Sequence, residues 1–135
     1  MATGTNGPDR VTRTEYDAEG QVTLERRAYG TSLAQIYATR TWTPNGKLDT
    51  VMDATTAAAP TGNLSNLDYD GFDRLYRLYF PNPTLHSGTA STTDYEEYGY
   101  DDNNNRTSLR LRSSESIGYS YDALNRETFK DIPGG

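Results

Sequence analysis

The sequence is poor in the residues that build most catalytic and disulfide-bonded proteins. Its 135 residues contain no cysteine and one histidine, and only 33% are hydrophobic. The lack of cysteine excludes disulfides, thiolate zinc sites and cysteine nucleophiles. No apolar run approaches the roughly 20 residues of a transmembrane helix, and the polar segment 1–10 has no signal-peptide core. We therefore expect one domain with a thin core and no membrane span.

The charge balance argues against a role in nucleic-acid binding. The formal net charge is -6 at pH 7, and the basic residues are spread along the chain. Nonspecific nucleic-acid binding depends on basic patches that neutralise phosphates. We therefore expect no nucleic-acid partner.

What the sequence has in abundance is tyrosine, with eleven copies, and a motif that recurs five times. Each copy has an aromatic residue, a short polar turn and then a polar or basic residue that leads into an extended segment. The copies start at Tyr16, Trp42, Tyr69, Tyr100 and Tyr121. Their spacing of about 21 to 31 residues is typical of one supersecondary unit per repeat. Each unit is predicted to be a β-hairpin.

The residues around each motif support that prediction. Val11 to Tyr16 and Arg106 to Arg112 alternate with a period of two, as a strand with one buried face does. Asp, Asn and Gly in the motifs supply turn chemistry. No segment keeps a helical period over three turns. We predict an all-β fold of tandem antiparallel hairpins in one twisted, curved, open sheet over 11–132, with loops near 54–66 and 81–93 and a glycine tail at 133–135.

The motifs also resemble a known family. Tyr69-Asp70-Gly71-Phe72-Asp73-Arg74-Leu75, Tyr100-Asp101 through Arg106 and Tyr121-Asp122 through Arg126 are similar to the YD repeats of bacterial RHS (rearrangement hotspot) proteins. The resemblance covers residues 11–130. It implies β-hairpins that join into a spiralling sheet, the hollow shell that encloses a toxin domain in RHS effectors and in insecticidal toxin complexes. It also implies a secreted or cell-surface parent protein.

The chain departs from the family at several points. Five motifs are too few to close a shell, so we expect a segment that pairs with further repeats or self-associates through its sheet edges. The second motif has Trp42-Thr43, and the fourth has Asn104 where family members commonly carry glycine, so these two turns are expected to differ in geometry. The stretch 131–135 does not match the Asp-Pro-x-Gly element of the self-cleaving shell terminus.

Candidate chemistry is sparse. His86 lies in a predicted loop without a recognisable nucleophile, Asp101 to Arg112 fails as a calcium loop, and Asp68, Asp70 and Asp73 are interpreted as turn formers. We therefore predict no catalytic residue, cofactor or metal. The predicted structural positions are Tyr16, Asp17, Gly20, Trp42, Gly46, Tyr69, Asp70, Arg74, Tyr100, Asp101, Arg106, Tyr121, Asp122 and Arg126.

Two functions remain open for the aromatic rings. They can stack from hairpin to hairpin as part of a structural module, with the arginines lying over neighbouring tyrosines or pairing with Asp of an adjacent repeat. Alternatively, an exposed row of rings can bind carbohydrate or mediate cell-surface adhesion. We favour the structural module, because the rings recur where a repeat needs an interlocking contact.

Overall fold

The computed structural model describes residues 11–55 and 61–134, and within them it is all-β. Ten strands form a single sheet in which each strand pairs antiparallel with the next, as predicted. The strands are β1 (Arg13–Tyr16), β2 (Val22–Arg27), β3 (Gln35–Trp42), β4 (Leu48–Met52), β5 (Leu64–Tyr69), β6 (Leu75–Pro81), β7 (Ala90–Tyr100), β8 (Arg106–Arg110), β9 (Ser116–Tyr121) and β10 (Glu127–Asp131).

The sequential strand order places all five motifs at one end of the sheet. They connect β1 to β2, β3 to β4, β5 to β6, β7 to β8 and β9 to β10. The intervening connections lie at the opposite end, because successive strands of an antiparallel sheet reverse direction. We call the end that carries the motifs the motif end.

Two strands extend further than the sequence suggested. β5 begins at Leu64, within the expected loop 54–66, because Leu64 pairs with Met52. β7 begins at Ala90, within the expected loop 81–93, because Ala90 pairs with Pro81. The segments 1–10 and 56–60 and Gly135 lie outside the described residues, so the expectations for the N-terminal segment and the centre of the first loop apply to residues that are not described.

The sheet has an apolar face and a polar face. Residues that pair across neighbouring strands point to the same side, so the register assigns the faces. The apolar face carries Val51, Leu67, Leu78, Leu109 and Ile117. The polar face carries Thr50, Asn66, Arg77, Glu97 and Arg110.

The described residues do not build a second layer over either face. None of their side chains is less than 2% exposed, and the buried hydrophobic residues are Ala28, Ala38 and Tyr119. Most strand residues are half-buried by their neighbours within the sheet. The described part of the chain contains no helix long and apolar enough to cross a membrane.

Two loops at the end opposite the motifs are joined by hydrogen bonds. The Gly88 amide donates to the Gly62 carbonyl at 3.1 Å, and the His86 amide donates to Asn63 Oδ1 at 3.0 Å. The Thr61 hydroxyl donates to the His86 carbonyl. These contacts join the β4–β5 and β6–β7 connections, so the long loops are tied together beyond the strand ladder.

Candidate functional site

The five motif turns share one geometry that is set by their second residue. In the third turn the Asp73 amide donates to the Asp70 carbonyl at 3.0 Å, and Asp70 Oδ1 accepts the amides of Phe72 and Arg74 at 2.9 and 3.0 Å. A carboxylate that bonds its own downstream backbone pre-forms the turn. Asp17, Asp101 and Asp122 make the same pair of contacts in their turns.

The second turn shows that a hydroxyl can replace the carboxylate. Thr43 Oγ1 accepts the Lys47 amide at 3.1 Å, and the Thr43 carbonyl accepts the Gly46 amide at 2.9 Å. The expected difference in geometry at Trp42-Thr43 was therefore wrong, because Thr43 supplies the same kind of acceptor one bond closer to the backbone.

The residue four places after each opening aromatic has a positive φ, and we call it the left-handed turn residue. These residues are Gly20 (φ 82°), Gly46 (φ 75°), Asp73 (φ 59°), Asn104 (φ 65°) and Asn125 (φ 59°). Glycine, Asn and Asp are the residues that accept this conformation most readily. The expected departure at the fourth turn was also wrong, because asparagine reaches the left-handed region that glycine occupies elsewhere.

The aromatic residues bind each hairpin to the one before it through hydrogen bonds. Each acceptor is the carbonyl of the residue six places after the preceding opening aromatic. The contacts are Trp42 Nε1 to Val22 O at 3.0 Å, Tyr69 OH to Leu48 O at 2.8 Å, Tyr100 OH to Leu75 O at 3.0 Å and Tyr121 OH to Arg106 O at 2.9 Å. We call this contact the aromatic lock.

The aromatic lock is a different contact from the ring stacking that the sequence predicts for these residues. The rings were expected to stack on one another, but among the described residues the ring pair in contact is Tyr79 with Tyr95, and neither opens a motif. The successive opening aromatics lie two strands apart, whereas the preceding carbonyl is within reach of a hydroxyl. Tyr16 opens the first motif and is 61% exposed, and its hydroxyl has no hydrogen-bond partner among the described residues.

Arg74 connects two neighbouring turns. Its Nε and Nη2 each lie 2.7 Å from Asp70 Oδ2, so it pairs with the Asp of its own turn rather than that of an adjacent repeat. Its Nη1 donates to Asp101 O at 3.1 Å and to Asn104 Oδ1 at 2.8 Å, and its guanidinium lies 4.6 Å from the Tyr100 ring centroid. A planar guanidinium with five donors suits this bridging role.

Arg106 does not occupy the position equivalent to Arg74. The equivalent residue in the fourth turn is Asn105, whose Nδ2 donates to Asp101 Oδ2 and to Asn125 Oδ1, both at 2.9 Å. Arg106 lies one place later, where its carbonyl accepts from Tyr121 and its guanidinium lies 4.8 Å from the Tyr119 ring centroid. Its stacking role was predicted, but its place in the motif was misaligned by one residue.

The left-handed turn residues also accept hydrogen bonds between turns, which the sequence analysis missed. Asn45 Nδ2 donates to Asp73 Oδ1 at 2.9 Å, Arg74 donates to Asn104, and Asn105 donates to Asn125. The available signal was a non-glycine residue at a position that demands positive φ. These contacts form a lateral chain of hydrogen bonds along the motif end from the second turn to the fifth.

A second cluster on the polar face was also missed. Tyr95 has the guanidinium of Arg77 4.9 Å and that of Arg110 4.0 Å from its ring centroid, and the Tyr79 ring at 5.6 Å. Arg77 Nε also lies 2.5 Å from Glu97 Oε2. Cross-strand pairing of these residues creates the cluster, so a motif search along the sequence does not reveal it.

Three of the turn carboxylates, Asp70, Asp101 and Asp122, have lowered pKa values. The pKa of Asp101 is lowered by the Asn105 side chain and by the amides of Asn105 and Asn103, and that of Asp122 is lowered by hydrogen bonds from Arg126. Partial desolvation opposes the effect at Asp70, but the hydrogen bonds from Arg74 and Phe72 still lower its pKa. All three groups are stabilised in their ionised form.

The remaining candidate groups take part in local hydrogen bonds. Asp68 accepts from Asn66 Nδ2 at 3.0 Å, and Asp73 accepts from Asn45, so these carboxylates point to separate partners. His86 is held through its backbone in the loop contact described above, with φ of 57°. The described residues contain no group of three or more His, Asp or Glu that could hold a metal ion.

A comparison with solved structures finds a similar fold within a much longer chain. The chain is similar to one in the crystal structure of TcdB2-TccC3-Cdc42, with a TM-score of 0.67 and 17% sequence identity. The fold is shared. The match covers 86% of this chain but 6% of that chain, so this chain spans a small fraction of its structural relative. No protein-family model and no curated sequence matches the chain.

Proposed function

We propose that this chain is a non-catalytic structural repeat module, a segment of an RHS-type shell. In the parent protein such a shell encloses or presents a C-terminal toxin domain, and the parent is a secreted or cell-surface bacterial protein. The proposal rests on the sequence resemblance to YD repeats and on the fold shared with a chain of the TcdB2-TccC3-Cdc42 complex.

The observation that carries the proposal is the recurrence of the aromatic lock. Four successive junctions use the same donor position and the same acceptor position. In a repeat array the stability comes from such nearest-neighbour contacts, and each added unit presents the next one with the same surface. An array of this kind can extend into a continuous wall as repeats are added.

The carbohydrate-binding alternative remains a prediction. Four of the five opening aromatics already use their polar atom on the preceding hairpin, and their rings are only partly exposed. A sugar-binding platform needs ring faces that are free for the ligand. No contact in the described residues favours this function over the structural one.

Self-association of the full chain tests the proposal. An open sheet presents unpaired backbone groups along β10, all of whose residues are exposed. We expect the mass measured by light scattering after size exclusion to rise with protein concentration. A monomer that keeps its mass over the whole series and resists protease would contradict the proposal.

Two matched variants show whether the edge is responsible. Phe129→Lys and Phe72→Lys each replace an exposed ring with a charge, at 61% and 79% exposure. Phe129 lies on β10 and Phe72 lies at the tip of the third turn. A lysine on an edge strand opposes strand pairing, so association should weaken with Phe129→Lys and persist with Phe72→Lys.

A further inference from the structure

The last hairpin carries an arginine in the same pose as Arg74 but without the contacts to a following turn. Arg126 lies 2.7 Å from Asp122 Oδ2 through both Nε and Nη2, the same two distances that join Arg74 to Asp70. The Arg126 side chain is 73% exposed, whereas that of Arg74 is 21% exposed. The local turn therefore holds the guanidinium in place before any neighbour is present.

The following hairpin accounts for the difference in exposure. At Arg74 it supplies the Asp101 carbonyl, Asn104 Oδ1 and the face of Tyr100. It also supplies the Tyr100 hydroxyl, which donates to the carbonyl of Leu75, the residue directly after Arg74. Glu127 directly follows Arg126, so its carbonyl occupies the acceptor position of the next aromatic lock.

We propose that β10 and Arg126 form a docking edge for a further hairpin of the same motif that carries Asn or Asp, rather than Gly, as its left-handed turn residue. The incoming tyrosine donates to the Glu127 carbonyl, and Arg126 Nη1 donates to the Asn or Asp side-chain oxygen. This inference rests on the proposed function and adds a docking rule, which states the left-handed turn residue that Arg126 favours in the following repeat.

The junction between the third and fourth turns supports the choice of Asn or Asp. The edge is continuous with an interface that recurs within the chain, and Arg74 makes one of its two Nη1 contacts to a left-handed asparagine. The first turn of this chain has Gly20 at that position, which offers no side-chain acceptor. The β1 edge of a second copy can therefore fill the lock through Tyr16 but leaves Arg126 with one contact fewer.

Because of this difference, self-association of the full chain can test the docking rule. Gly20→Asn adds the missing acceptor at φ of 82°, and a Cβ at Gly20 meets no atom within 4 Å. Gly30 has the same φ of 82° and the same open space but lies in the β2–β3 connection at the opposite end of the sheet. Gly30→Asn is therefore a matched control for the cost of asparagine in a left-handed position.

The experiment is a comparison of dissociation constants for self-association, measured by sedimentation equilibrium. We expect Gly20→Asn to lower the dissociation constant by about fivefold, the effect of one hydrogen bond worth roughly 1 kcal/mol. Gly30→Asn should leave it unchanged. In an Arg126→Ala background, Gly20→Asn should have no strengthening effect.

The outcomes separate this inference from the proposed function. If the chain associates equally with and without Gly20→Asn, or if the gain survives Arg126→Ala, the docking rule is wrong while edge pairing stands. If neither protein associates at any concentration, both the rule and the proposed function fail. Circular dichroism of each variant confirms that the fold is kept.

Discussion

Replacing Tyr100 with phenylalanine isolates one aromatic lock. Phenylalanine keeps the half-buried ring and its contact with Arg74, so the change removes the hydroxyl that donates to Leu75 O at 3.0 Å. One hydrogen bond contributes about 1 kcal/mol to the free energy of unfolding, so Tyr100→Phe should lower it by that amount. For a chain of this size the loss corresponds to a fall in Tm of roughly 4 °C.

Tyr16→Phe is the matched control because Tyr16 opens the first motif and its hydroxyl has no partner among the described residues. Its effect should stay within about 0.5 kcal/mol, as for other surface changes. Urea unfolding of both variants, followed by circular dichroism and by the fluorescence of Trp42, the single tryptophan, measures the difference. Equal losses for the two variants would refute the idea that the hydroxyl contact joins neighbouring hairpins.

Two further predictions concern the loops and the turn carboxylates. Gly62→Ala should clearly lower the urea midpoint, because an added Cβ would lie 2.6 Å from the Asp53 carbonyl oxygen. Gly71→Ala is the control and should change the midpoint little, because an added Cβ there meets no atom within 4 Å. Similar midpoints for the two variants would contradict this prediction. The lowered pKa of Asp101 means that its contribution to stability is present above its ordinary value of 3.8 and is lost as pH falls through the lower folded value. The urea concentration at the unfolding midpoint should therefore decrease when the pH is lowered below about 4. This decrease should be smaller in Asp101→Asn than in Asp102→Asn, which changes a residue at the turn tip. A decrease in Asp101→Asn as large as that of the unchanged chain would disprove the prediction.

Local sequence determined much of the fold. Asp or Thr in second place and a left-handed residue three places later define each turn, and both lie within one short motif, so the hairpins were predictable. The start of β5 was not, because Leu64 joins the sheet through its pairing with Met52 across a loop. Propensity along the Ala- and Thr-rich stretch before it carries no information about that partner.

The contacts between hairpins were harder to predict than the hairpins. The opening aromatics were recognised as interlocking positions, but the partner of each ring is a backbone carbonyl of the preceding hairpin, which has no side-chain signature. The Tyr95 cluster arises from register across β6, β7 and β8 and is likewise invisible to a motif search. Long-range register, rather than local preference, decides both features.

The left-handed turn residue has two roles: it adopts the positive φ of its own turn, and it can accept a hydrogen bond from the preceding turn. Glycine enters this conformation without steric cost, whereas Asn and Asp enter it at a cost that their local hydrogen bonding reduces. Asp73, Asn104 and Asn125 accept a hydrogen bond from the preceding turn, a gain of the same order as that cost. In an isolated hairpin Asn or Asp is therefore less favourable than glycine at this position, and its cost is offset only when a preceding turn supplies the donor. Because the benefit depends on the neighbour, the identity of this one residue affects which hairpins can follow one another along the sheet.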